Sequence, residues 1–220
     1  MRKIVIISAG LSTPSSTRLL ADQISDSVRS QITARGEDVD FTFVELRDLA
    51  GELAQAMQTS AMPNQKLDSV KNALSEADAL VAVSPVFAAS YSGLFKMFFD
   101  ILDPDALTSM PVLIAATAGT PRHSLVLDYA MRPLFTYFRA NVVPTGVFAA
   151  TEDFGGAEGK HLDGRIQRAA TELASLVVSE SGAVEGFTAV DAAAPRRTSG
   201  TSIDAGFTSF ENLLKGHSGD

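Results

Sequence analysis

In the stretch Ser84-Pro-Val-Phe-Ala-Ala-Ser-Tyr-Ser-Gly-Leu-Phe-Lys96, a polar loop joins an apolar run to an apolar segment with helical character. The run ahead of it, Ala79–Ser84, is unbroken and rich in β-branched residues, as a strand covered on both faces requires. Similar runs stand at Lys3–Ser8, Val112–Thr117 and Asn141–Ala149, with a more alternating one at Asp40–Glu45. Between them Leu20, Ile24, Val28 and Ile32 recur every fourth residue, Leu67, Val70 and Leu74 follow three-then-four spacing, and Ile166, Ala170, Leu173 and Val177 repeat the pattern. Strand then helix, five times over, predicts an α/β fold: a doubly wound, five-stranded parallel sheet in the order 2-1-3-4-5, with right-handed crossovers and helices on both faces. In such a sheet a ligand sits beyond the carboxyl ends of the strands. Three loops leave strands one, three and four there: Ser8–Thr17, the stretch quoted above, and Thr117–His123.

Composition narrows the function. With 220 residues, 45% of them hydrophobic, the chain suffices for one buried core. A net charge of −8 argues against nucleic acid as partner, because that affinity comes largely from clustered Lys and Arg. The absence of Cys excludes disulfides, thiolate catalysis and Cys-ligated metals, and suits a cytoplasmic protein. The three histidines, His123, His161 and His217, lie far apart, so no metal site is expected. The first eleven residues read as a strand and not as a signal peptide, and no stretch reads as a membrane span.

The first loop carries Ser8, Ser12, Thr13, Ser15, Ser16 and Thr17 where strand gives way to helix. Convergent hydroxyls and the free amides of a helix start suit a phosphate, whose oxygens accept from donors within about 3 Å. A lone helix cap by Ser15 or Ser16 is the plainer alternative. Neither G-x-x-x-x-G-K-[ST] nor G-x-G-x-x-G is present, which points to a monophosphate such as that of FMN. In the second loop Pro85, Val86, Phe87 and Tyr91 offer apolar faces to a flat ring, with Ser92 as the competing cap reading. In the third, Thr117, Ala118 and Gly119 are small enough for backbone amides to reach the ring's electron-rich edge. His123 has two readings, a ring contact or a local hydrogen bond at a helix start. A hydrolase triad of Ser90, His123 and Asp128 is unsupported, because G-x-S-x-G is missing.

Taken together, Pro14-Ser15-Ser16-Thr17, Ser84-Pro85-Val86-Phe87 with Tyr91-Ser92-Gly93 and Lys96, and Ala116–Thr120 with His123 and Asp128-Tyr129-Ala130-Met131-Arg132-Pro133 resemble the NADPH-dependent FMN reductases. That family is flavodoxin-like, and the likeness is strongest to reductases serving two-component, luciferase-like or alkanesulfonate monooxygenases. The likeness spans roughly residues 1–179. It implies FMN and NAD(P)H as cofactors, hydride delivery to flavin N5 without a catalytic side chain, a homodimer or homotetramer, and an FMNH2-dependent monooxygenase as partner. Tyr129 matches a tyrosine placed at a subunit contact near the flavin. The family's first loop often carries an arginine where this chain has Ser12, which removes a charge and implies loose FMN binding. Arg18 stands nearby in sequence.

Residues 1–180 are thus expected to form the FMN-binding domain and 181–220 a flexible tail, in which Phe207, Phe210, Leu213 and Leu214 suit a short docking helix. Arg47–Gln65 and Thr151–Asp163 read as surface connections or as flaps or partner contacts. A quinone or azo reductase, an electron carrier and a non-catalytic interaction module are the competing functions.

Overall fold

A computed structural model of the chain describes residues 1–59, 63–155, 159–179 and 197–201. Five strand positions run in the order 2-1-3-4-5, as the alternation predicts. β1 (Arg2–Ser8) lies between β2 (Val39–Glu45) and β3 (Ala79–Phe87), and β5 (Pro111–Ala118) follows β3. The last position is shared by two short strands, β6 (Asn141–Val142) and β7 (Val147–Ala150), both parallel to β5. A two-residue strand, β4 (Ser90–Tyr91), folds back antiparallel on the end of β3. One row of paired residues crosses the whole sheet: Glu45, Ser8, Val83, Ala115 and Val147. β1 and β2 end on this row, and β3, β5 and β7 continue three or four residues past it before releasing their loops.

Alternation sorts the side chains between two cores. Ile4 and Ile6 of β1 join Leu20, Ile24, Val28 and Ile32 of α1 (Ser16–Thr33) and Ile166, Leu173 and Val177 of α6 (Gly159–Ser179) on one face. Val5 and Ile7 face the other core, built with α2 (Ala50–Gln58), α3 (Gln65–Ser75), α4 (Gly93–Asp100) and α5 (Arg132–Tyr137). In this second core Phe99 meets Phe95 at 4.7 Å, Phe98 at 5.3 Å and Phe135 at 5.0 Å between ring centroids. Each such pair contributes about 0.5–1.5 kcal/mol beyond its area burial, and the cluster ties α4 to α5.

The single strand expected at Asn141–Ala149 is interrupted, for a chemical reason. Pro144 has no N–H to give the ladder. The partner offset grows from 30 residues at Pro111–Asn141 to 32 at Ala115–Val147, so two residues bulge out. Side chains then satisfy the released backbone groups: Glu172 accepts from Thr145 N at 2.8 Å, Arg165 donates to Gly146 O at 2.7 Å, and Arg132 donates to the carbonyls of Val143 and Pro144 at 3.2 and 3.1 Å.

The segment Arg47–Gln65 is also more ordered than a surface connection. Leu46–Leu49 form a 3-10 turn that runs into α2, and Leu46, Leu49, Leu53 and Ala56 are buried. Their three-then-four spacing is the amphipathic signal. Residues 60–62, with Met62, lie outside the described residues. Thr151–Phe154 likewise form a 3-10 turn ahead of α6.

Immediately ahead of α5 the helix widens. Leu127–Met131 form a π-helical turn in which the Arg132 amide reaches Leu127 O, because Pro133 has no amide to offer Tyr129 O. Of the segment expected as a tail, residues 197–201 lie against the amino-terminal edge of the sheet. Arg197 donates to Ala77 O, and Thr201 Oγ1 donates to Asn72 Oδ1 at 3.1 Å. The helix expected around Phe207 falls outside the described residues. Among those described, no helix is long and apolar enough to cross a membrane.

Removing Glu172 strands the Thr145 amide and hydroxyl. Glu172→Ala is therefore expected to cost about 1–3 kcal/mol, and the thermal midpoint to fall by roughly 2–10 °C in differential scanning calorimetry. Glu172→Gln, which still accepts, should lose less.

Candidate active site

The first loop is shaped by a close approach. A Cβ on Gly10 would stand 2.1 Å from Ser15 Oγ and 3.1 Å from Thr17 Cβ, so any larger residue would push the Ser15 hydroxyl from its place over the start of α1. Ser15 is the N-cap of that helix, with its Oγ accepting from Arg18 N at 3.2 Å. Its carbonyl accepts from Leu19 N at 3.0 Å. The amides of Ser16 and Thr17 are left with no protein acceptor among the described residues. Two free amides at the positive end of a helix, beside the exposed hydroxyls of Ser12 and Ser16, are a donor set that fits a phosphate.

Buried polar contacts bind this loop to the others. Thr17 Oγ1 and Thr117 Oγ1 lie 2.9 Å apart in a hydrogen bond that joins the first and third loops. Ala9 N donates to Val83 O at 3.0 Å and extends the β1–β3 ladder past the strand end. Within the second loop the fully buried Ser84 accepts from Ser92 N at 3.0 Å and donates to Pro85 O at 2.9 Å. Ser92 in turn caps α4 by accepting from Phe95 N at 3.2 Å, so its cap reading holds.

The turn between β3 and β4 is Ala88–Ala89, with φ of 47° and 67°. Two consecutive left-handed residues between the paired Phe87 and Ser90 describe a type I′ hairpin turn, normally filled by Asn-Gly. Alanine holds that conformation at about 1–2 kcal/mol of strain per residue. The turn projects Phe87, which is 48% exposed.

These loops enclose a cleft of about 290 Å³, near the lower end of small-ligand sites. Ser12, Ser16 and Thr17 line it from the first loop, Pro85, Val86 and Phe87 from the second, and Thr117, Ala118 and Gly119 from the third. No residue of its lining is ionisable. A larger hollow of about 410 Å³ between β7 and α6, with His161, Arg165 and Arg168 on its wall, shares no residue with the cleft and lies on the sheet's flank.

Four residues expected at the site stand back from the cleft. Ser8 is buried with its Oγ unpartnered, beneath the loop. Ser15 is committed to its cap. Tyr91 is half-buried, with its ring 5.6 Å from Phe95, and packs against the apolar core. His123 ends the short 3-10 turn Pro121–His123, half-buried and outside the lining. Two lining residues went unforeseen, Leu11 and Thr151. Thr151 directly follows β7, the place the strand-end rule would have indicated.

Arg18 is turned away from the cleft. Burial opposes its charge, but hydrogen bonds to Asp22 at 2.8 Å and Glu45 at 3.0 Å outweigh that, and its pKa is raised. Its guanidinium also stacks over Phe43, 4.2 Å from the ring centroid. Arg47, unremarked in the sequence, instead reaches the first loop, donating from Nη1 to Ser12 O at 2.9 Å and Thr13 Oγ1 at 2.6 Å.

Residues 2–155 match the sequence model of the NADPH-dependent FMN reductases. The chain belongs to that family. A Pseudomonas aeruginosa protein named FMN reductase (NADPH) is 38% identical over 79% of this chain and 91% of its own length. A Pseudomonas fluorescens protein named NADH-dependent FMN reductase SfnF is 36% identical over the same shares. Among solved structures, an oxidoreductase from Corynebacterium diphtheriae is 61% identical, with a TM-score of 0.79 over 81% of this chain and 98% of that one. An NADH:FMN oxidoreductase, EmoB, in its apo form is 27% identical, with a TM-score of 0.66 over 90% and 96%. The flavodoxin fold is shared more widely, as with flavodoxin 1 of Bacillus cereus at 16% identity and a TM-score of 0.53.

The Gly10–Ser15 contact is testable by stability. Gly10→Ala should displace the cap and cost about 1 kcal/mol, lowering the thermal midpoint by roughly 2–4 °C. Adding Ser15→Gly to Gly10→Ala makes room for the methyl group. The pair should therefore lose less than the sum of the single changes.

Proposed function

We propose that this member of the family is an NAD(P)H-dependent FMN reductase working in the cleft between the three loops. The free amides of Ser16 and Thr17, joined by the hydroxyls of Ser12 and Ser16, would hold the phosphate. Pro85, Val86 and Phe87 would line the ring, and the backbone of Thr117, Ala118 and Gly119 would face its pyrimidine edge. FMN, once bound, supplies the N5 atom that accepts hydride from the nicotinamide. The chain's own part is to bind and orient, since the cleft lining offers no proton donor or acceptor of catalytic pKa. The observation that carries this reading is the pair of unpaired helix-start amides opposite an apolar wall.

The same proposal includes delivery of reduced FMN to a monooxygenase, a cytoplasmic location and a homo-oligomer. Support for the oligomer comes from the exposed Leu125, Tyr129 and Tyr137 around the π-helical turn, with Tyr129 79% exposed. Such neighbouring apolar residues suit a subunit contact.

Anaerobic titration of the FMN-loaded protein with NADPH, and separately with NADH, should bleach the flavin at close to one nicotinamide per flavin. A flavin that stays oxidised with both nicotinamides would refute the reductase. Steady-state turnover with free FMN, expected to exceed that with a quinone, separates it from a quinone reductase.

A further inference from the structure

We infer that Arg47 supplies the counter-charge for the anionic end of the ligand in this cleft, acting from the turn after β2 and not from the loop that contacts the ligand. The inference rests on the FMN reading above and adds the residue that would set the preference for a phosphorylated flavin. Ser12, Ser16 and Thr17 give the cradle hydroxyls and amides but no full positive charge. Arg18, the cation nearest in sequence, is occupied by Asp22, Glu45 and Phe43.

Arg47 is held differently. Its Nη1 is fixed on Ser12 O and Thr13 Oγ1, and Ser12 is itself a wall of the cleft. Its carboxylate neighbour is Asp48, 3.7 Å from Nε and 72% exposed, a contact too long and too wet to neutralise it. Among the described residues Nη2 has no protein acceptor. The guanidinium is thus tethered by one nitrogen beside the phosphate cradle with its charge unspent. Donation to Ser12 O also fixes the peptide that carries the cradle's outer hydroxyl.

The test compares FMN with riboflavin, the same ring without phosphate, by quenching of flavin fluorescence in full-length protein. The parent, Arg47→Lys, Arg47→Gln and Arg47→Met are titrated at low and high salt. Arg47→Gln and Arg47→Met should weaken FMN about tenfold while riboflavin affinity stays within about twofold. Arg47→Lys should keep most of the preference for FMN. The parent's FMN affinity should fall with salt more steeply than that of the neutral variants. Equal weakening of FMN and riboflavin would show Arg47 to be a prop for the loop, and unchanged FMN binding in both neutral variants would show it idle; either overturns the inference. A parent that takes up neither flavin refutes the FMN reading itself, and does so before any substitution is made.

Discussion

Parallel register is the constraint on which the site depends. Glu45, Ser8, Val83, Ala115 and Val147 stand in one row: β1 and β2 end on it, while β3, β5 and β7 run three or four residues past it, so the second and third loops leave the sheet above the first. A slip of one residue in β3 would turn Leu80 and Ala82 out of one core and Val81 and Val83 out of the other. Burial on both faces therefore fixes the height of the rim. The rim in turn brings Thr17 within hydrogen-bonding distance of Thr117, a hundred residues later.

Above the rim the local geometry comes from small, specific requirements. Gly10 leaves the Ser15 hydroxyl free to cap α1, which a larger residue would displace. Ser84 is buried in the second loop because it joins the amide of Ser92 to the carbonyl of Pro85. These contacts pre-form the cleft, so a ligand need not order three loops on arrival. The strained Ala88–Ala89 turn is the exception, holding an unfavourable backbone conformation at the cleft's mouth.

Much of this was legible in the sequence. Unbroken apolar runs marked the central strands, and hydroxyls crowded at a strand end marked the first loop. What escaped was information carried by partners distant in the chain. Pro144 gave a local sign that the last strand would break, but its repair by Glu172, Arg165 and Arg132 is tertiary. Ser8 and Tyr91 had the right chemistry at the right ends, yet one sank beneath the loop and the other packed against the phenylalanine core. Arg47 lay inside a segment read as a connection, and its contact with Ser12 is made only because the buried leucines of that segment fold it back toward the first loop.

The cleft wall consists of hydroxyls, aliphatic groups, one phenyl ring and peptide bonds. None of these gains or loses a proton between about pH 5 and 8. Acidity can then reach chemistry in the cleft only through the reactants, or through groups set back from the wall, and the protein there behaves as a fixed mould whose fit does not drift as its surroundings acidify.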